Sequence, residues 1–115
     1  MASRYRRLRV YQLSVALAWD VRSHVRGWSS FDQSTLGVQL VRAIESVGAN
    51  IAEAEGRWYT ADKRRLLFIA RGSLYEAEHW LLRAEQSGLR RPDASDRIDE
   101  IARMLNGMIK KPPPR

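Results

Sequence analysis

The sequence predicts an all-α protein, an antiparallel up-down-up-down four-helix bundle. Three observations carry this. Apolar residues recur at three- and four-residue steps in four separate segments, and no segment of strand length alternates with period two. No proline occurs before Pro92, so nothing interrupts a helix between residues 10 and 91. Turn-forming clusters at Gly27-Trp28-Ser29-Ser30, Gly56 to Thr60 and Gly88 to Asp93 divide the chain into four, and such short connections make neighbouring helices antiparallel.

The first helix is predicted from about Val10 to Arg26, with Val10, Leu13, Leu17, Val21 and Val25 on its apolar stripe. The second runs from about Asp32 to Gly56 and repeats the pattern with Leu36, Leu40, Ile44, Val47, Ile51 and Ala54. The third opens at Thr60, read as its N-cap, with Asp62 in the first turn. Its stripe is Leu67, Ala70, Leu74, Ala77, Leu81 and Ala84, and Gly88 is the expected C-terminal cap. The fourth opens around Asp93 to Asp96, after Pro92, and carries Ile98, Ile101, Leu105 and Met108.

The 115 residues suffice for one domain with its own core. They divide into a basic N-terminal arm at 1–9, the bundle at 10–109 and a basic, proline-rich tail at 110–115. No cysteine is present, which excludes disulfides, Cys-ligated zinc and thiol catalysis. The longest apolar run, Leu66 to Ala70, is far shorter than a membrane span, and no signal-peptide pattern follows the early arginines. A cytoplasmic protein with no membrane partner is the expectation.

The net charge of +7 is unevenly placed. Arg4, Arg6, Arg7 and Arg9 in the arm, and Lys110, Lys111 and Arg115 in the tail, have no acid among them, whereas 13 bases and 13 acids balance in between. The predicted topology brings both tails to one end, beside the connection Arg57-Trp58-Tyr59-Thr60-Ala61-Asp62-Lys63-Arg64-Arg65. Arg4, Arg6, Arg7, Arg9, Arg57, Lys63, Arg64, Arg65, Lys110 and Lys111 are therefore the candidate phosphate contacts. Trp58 and Tyr59 are placed to stack on unpaired bases. Trp58 equally suits a cover over the bundle end or a subunit contact. The absence of any helix-turn-helix, RNA-recognition or zinc-finger pattern points to backbone-directed binding.

The second helix carries a further stripe: Gln39, Arg42, Ser46, Asn50, Glu53 and Arg57 step by three and four. Short uncharged members interleaved with Gly48, Ala49 and Ala52 predict a half-buried polar seam, extended across the third helix by Ser73 and Glu76. Glu53 and Glu76 also have the chemistry of an acid–base pair, but a structural network with Arg42, Asn50 and Ser73 is the simpler reading. Glu76-Ala77-Glu78-His79 contains one Glu-x-x-His step. A di-metal bundle needs two, and His24 has Val21 three residues before it. No catalytic residue, metal site or cofactor is expected, and His79 is read as a surface or interface residue.

Asn50-Ile51-Ala52-Glu53-Ala54-Glu55-Gly56-Arg57 resembles the Asn-Ile-Ala-Glu-Gly-x-Gly-Arg signature of the proteins encoded by intervening sequences of bacterial 23S ribosomal RNA genes. Leu8-Arg9-Val10-Tyr11-Gln12, Ala70-Arg71-Gly72-Ser73-Leu74-Tyr75-Glu76 and Arg103-Met104-Leu105-Asn106-Gly107-Met108-Ile109 extend the resemblance over nearly the whole chain. Ala54 and Glu55 depart from the pattern. The resemblance implies a four-helix bundle assembled as a ring-like homopentamer without enzyme activity. The architecture also resembles the accessory variability protein of diversity-generating retroelements, which is basic, pentameric and works with a reverse transcriptase and nucleic acid.

Independently of that resemblance, the five consecutive apolar residues Leu66 to Ala70 cover all sides of the third helix, and Tyr75 and Trp80 lie off its stripe. A subunit interface or burial beneath the termini would account for them, and Gly72 suits close approach. The expected function is a non-catalytic homo-oligomeric scaffold that binds RNA or DNA through its basic end. The alternative is a protein-interaction adaptor, such as an accessory subunit of a retroelement reverse transcriptase.

Overall fold

The computed structural model describes residues 4–112. Residues 1–3 of the arm and 113–115 of the tail, including Arg115, lie outside them. The described residues form four long helices and no strand. Helix α1 spans Arg9–Val25. Helix α2 covers residues 30–56 as an α-helical turn Ser30–Asp32, a π-helical turn Gln33–Gly37 and the α-helical body Val38–Gly56. Helix α3 is Thr60–Gln86 and α4 is Ser95–Lys110. In the sequence of packing, α1 lies on α2 and α4, and α3 lies on α2 and α4, as an antiparallel bundle requires.

The period-3.6 stripes become the core. Leu17, Val21, Leu40, Ile44, Val47, Ile51, Leu67, Ala70, Leu74, Ala77, Ile101 and Leu105 are all fully buried. Each of the larger ones contributes about 1.5–3 kcal/mol by leaving water. All six expected stripe residues of α3 are buried. Small shifts mark the other helices, beginning with Leu36 of α2, which is half-buried while Gly37 beside it is buried. Ser14 rather than Leu13 is the fully buried member of α1, with its hydroxyl donating to Val10 O at 2.7 Å. Ile109 rather than Met108 closes the stripe of α4.

The helix ends show where local chemistry outweighs periodicity. The second helix begins two residues earlier than its apolar stripe suggests, because Ser29 caps it: Asp32 N donates to Ser29 Oγ at 3.2 Å. Gln33 then reaches back, its Nε2 donating to Arg26 O at 2.9 Å and to Val25 O at 3.2 Å, the latter shared with Trp28 N, which satisfies carbonyls at the end of α1. The π-helical turn brings buried Gly37 so close to α1 that a Cβ there would lie 2.9 Å from Val25 Cγ1, and it would also lie 3.2 Å from Asp32 O of its own helix. Thr60 is not the N-cap of α3. Tyr59 holds that position without a side-chain hydrogen bond, and Thr60 is the first helical residue. Gly88 ends the helix at φ +72°, with Leu89 N donating to Ala84 O at 3.0 Å.

The two ends of the bundle differ. One is closed by buried Trp28, whose Nε1 donates to Arg90 O at 2.7 Å. At the other meet a 3-10 turn at Arg4–Arg7, the connection between α2 and α3, and the end of α4. Tyr5 packs edge-on against Tyr11 with ring centroids 4.9 Å apart, and Gln12 Nε2 donates to Arg6 O at 2.9 Å. The arm from Arg4 onward is therefore packed onto the bundle.

Candidate nucleic-acid interface

The convergence expected from topology is present. Arg4 Nε lies 3.1 Å from Glu55 Oε1, joining the arm to the end of α2. Arg64 joins α3 to the end of α4: its Nε donates to Ile109 O at 2.9 Å and its Nη2 to Lys110 O at 3.3 Å. Those carbonyls are among the orphan acceptors of a helix C-terminus, where a guanidinium is favoured electrostatically. Arm, connection and tail thus form one surface.

Not every expected cation faces outward on it. Lys63 is only 3% exposed, which removes it from the phosphate contacts. The physical reason is periodicity: Lys63, Leu67, Ala70 and Leu74 step by four, three and four, so Lys63 is the first member of the buried stripe of α3. Its Nζ has no hydrogen-bond partner among the described residues. Arg57 is exposed but engaged, with Nη2 2.7 Å from Glu53 Oε1, and the hydrogen bond and charge of Glu53 raise its pKa. Arg9 pairs with Glu100 at 3.0 Å. No ion pair among the described residues engages the side chains of Arg6, Arg7, Arg65, Lys110 or Lys111, all exposed.

The two aromatics stand out from the same surface. Trp58 is 66% and Tyr59 70% exposed, so Trp58 does not cover the bundle end. The chain is in extended backbone at Tyr59 and Arg57 and presents both rings on a short loop. Planar rings beside guanidinium and ammonium groups can stack on unpaired bases while the cations meet phosphate oxygens.

The polar seam is shorter than expected. Ser46 Oγ and Ser73 Oγ are 2.9 Å apart across α2 and α3, and Asn50 Nδ2 donates to Ser46 O at 2.8 Å and Ser46 Oγ at 2.9 Å. These three are half-buried. Gln39, Arg42, Glu53 and Glu76 are exposed instead, because the stripe drifts off the α2–α3 contact towards its ends. Glu76 accepts from Trp80 Nε1 at 3.0 Å, so Glu53 and Glu76 are each held within their own helix. His79 packs edge-on against Trp80, and among the described residues no three of His, Asp and Glu gather as metal ligands. Sequence reasoning missed one member of the basic end: Glu55, buried beneath Arg4, whose charge gave no hint of burial.

Fold and basic end together define a class: a small, all-helical four-helix-bundle protein with five exposed cations free of ion pairs at one end. The family is given by the match of residues 6–111 to the 23S rRNA-intervening sequence protein family, to which this chain belongs. A comparison with curated proteins gives no match. No described helix is long and apolar enough to cross a membrane.

Proposed function

We propose that the protein is a non-catalytic, homo-oligomeric scaffold, in the ring of five that the resemblance implies, and that it binds RNA or DNA phosphates through its basic end. The observation that carries this reading is the grouping of Arg6, Arg7, Arg65, Lys110 and Lys111 without carboxylate partners around exposed Trp58 and Tyr59. Elsewhere Arg22 is taken up by Glu45 at 3.0 Å, Arg97 by Asp20 at 2.9 Å and Arg91 by Glu85 at 3.3 Å, while Arg26, Arg42, Arg90 and Arg103 are exposed singly without an ion pair among the described residues. A surface that leaves its cations unpaired attracts polyanions and releases their counterions on binding. Two exposed rings within it favour unpaired bases over a regular duplex.

The test is a fluorescence anisotropy titration of the full chain against a structured RNA with single-stranded loops and against duplex DNA, over a salt series. Binding that weakens steeply with salt, and that is tighter for RNA, supports the reading. No binding at low salt refutes it and leaves the adaptor reading, in which the same arginines and aromatics meet a protein such as a reverse transcriptase.

A further inference from the structure

Glu55 is a carboxylate in an apolar register. Ile44, Val47, Gly48, Ile51, Ala54 and Glu55 step along the buried face of α2, and the side chain of Glu55 is only 6% exposed. A charge taken this far out of water needs a countercharge, since an uncompensated one is strongly destabilising. Among the described residues its ion-pair partner is Arg4, with Nε 3.1 Å from Oε1. The contact is one of charge, because Oε1 accepts no aligned hydrogen bond. Lys63, the other buried charge of this end, makes no ion pair with it. Arg4 is itself 58% exposed, so the pair ties a surface segment to a buried point.

That segment is the 3-10 turn Arg4–Arg7, too short to hold its shape alone. It packs on α1 and α2 and leaves Phe68 and Ile69 of α3 exposed, so burial beneath the termini does not account for those two. Tyr5 against Tyr11, and Gln12 Nε2 on Arg6 O, tie the turn to α1. Arg4 supplies the ion pair to α2. Arg6 and Arg7 follow within the same turn, exposed and without an ion pair among the described residues. Glu55 therefore fixes, from below, the backbone that presents two of the five cations of the basic end.

We propose that Glu55 is a positioning residue for phosphate binding: its buried charge anchors Arg4, and the anchored turn holds Arg6 and Arg7 ready for phosphate oxygens. Arg4 serves as the anchor instead of as a phosphate contact. This role rests on the phosphate-binding reading above and adds to it an acid that aids anion binding. Two effects of opposite sign separate it from simple electrostatics. Removing a negative charge from a basic surface raises the local potential and favours a polyanion. Removing the anchor frees the turn, so Arg6 and Arg7 must be ordered at the moment of binding, which costs affinity. Glu53, exposed and paired with Arg57 within its own helix, anchors nothing, and its removal shows the first effect alone.

The test is Glu55→Gln, which keeps the shape of the side chain, with Glu53→Gln as control. Arg4→Ala removes the exposed half of the pair, the double variant combines it with Glu55→Gln, and circular dichroism confirms folding. Without nucleic acid, trypsin cleavage after Arg6 and Arg7, read by mass spectrometry, reports how often the turn opens. Cleavage should be roughly tenfold faster in Glu55→Gln and Arg4→Ala than in the wild type or Glu53→Gln. In anisotropy titrations against the structured RNA, Glu55→Gln should bind about two- to tenfold more weakly than the wild type, although its net charge is more positive. Glu53→Gln should bind at least as tightly as the wild type. In the Arg4→Ala background the anchor is already gone, so Glu55→Gln should no longer weaken binding. A turn as protected as the wild type's in Glu55→Gln or in Arg4→Ala overturns the anchor, and the exposed Arg4 position keeps this test open if Glu55→Gln does not fold. RNA binding by Glu55→Gln that equals or exceeds the wild type's, or a loss that persists in full in the Arg4→Ala background, overturns the positioning role. A wild type that binds no RNA refutes the phosphate reading itself and the positioning role with it, and is told apart by the trypsin result, which needs no nucleic acid.

Discussion

Asn50 and Glu53 are neighbours on one stripe of α2, yet their replacement by leucine should have very different consequences. Asn50→Leu removes two hydrogen bonds to Ser46, at 2.8 and 2.9 Å, from a half-buried site. At about 1 kcal/mol net for each bond, less about 0.5 kcal/mol returned by the better helix propensity of leucine, the loss is roughly 1.5 kcal/mol. Glu53→Leu breaks only an exposed i, i+4 pair with Arg57, which solvent screens, and should stay within the scatter of surface substitutions. Ser73→Ala removes the bond across the helices and should cost about 0.5–1 kcal/mol after its own propensity gain. Asn50 and Ser73 share Ser46 Oγ, so the double variant should depart from additivity by about 0.5 kcal/mol or more. Urea denaturation at one fixed protein concentration measures all four, since the proposed self-association would make stability concentration-dependent. Equal losses for Asn50→Leu and Glu53→Leu, or strict additivity in the double variant, would refute the three-residue network.

Three further outcomes follow from the geometry. Gly37→Ala should destabilise by about 1–3 kcal/mol, because its Cβ meets Val25 and Asp32 at contact distances that demand backbone movement, while Gly107→Ala, with open space at its Cβ, should stabilise by about 1 kcal/mol in the same urea assay. Trp28→Phe should lower stability by about 1–2 kcal/mol through loss of the 2.7 Å bond to Arg90 O and of packed volume, read by thermal unfolding. Lys63→Met should leave nucleic-acid affinity and its salt dependence unchanged in anisotropy titrations, whereas Arg65→Ala should weaken both, since only Arg65 faces solvent.

The fold was legible because it depends on period. The stripe Leu67, Ala70, Leu74, Ala77, Leu81 and Ala84 needs no partner to be recognised, and each member is buried. The π-helical turn at Gln33–Gly37 was not legible, since it answers to the approach of Gly37 to Val25, a contact between helices that spacing does not encode. Much the same holds for Thr60. Its hydroxyl suits an N-cap, but the chain enters α3 one residue earlier, through Tyr59. At the basic end, the gathering of arm, connection and tail followed from connection lengths alone. Lys63 was misplaced although its position three and four residues before Leu66 and Leu67 puts it on the buried face, because its charge outweighed its register in the reading. Glu55, four residues after Ile51, shares the buried register in the same way; what spacing does not encode is that the fold brings Arg4 to it.

Phosphate binding at one end of the bundle is tested most directly by moving the neutralised charges. Arg6, Arg7, Arg65, Lys110 and Lys111 are replaced together by alanine, and a control replaces Arg26 and Arg90, exposed cations at the end closed by Trp28. Point substitutions are preferable to removing residues 1–9, because Tyr5 and Arg6 pack on α1. Anisotropy titrations against the structured RNA over a salt series give the slope of log affinity against log salt. The five-fold variant should lose affinity and flatten that slope by roughly one unit for each phosphate contact removed, while the control keeps both. Equal effects from the two variants, or an unchanged slope in the five-fold variant, would contradict a phosphate-binding basic end.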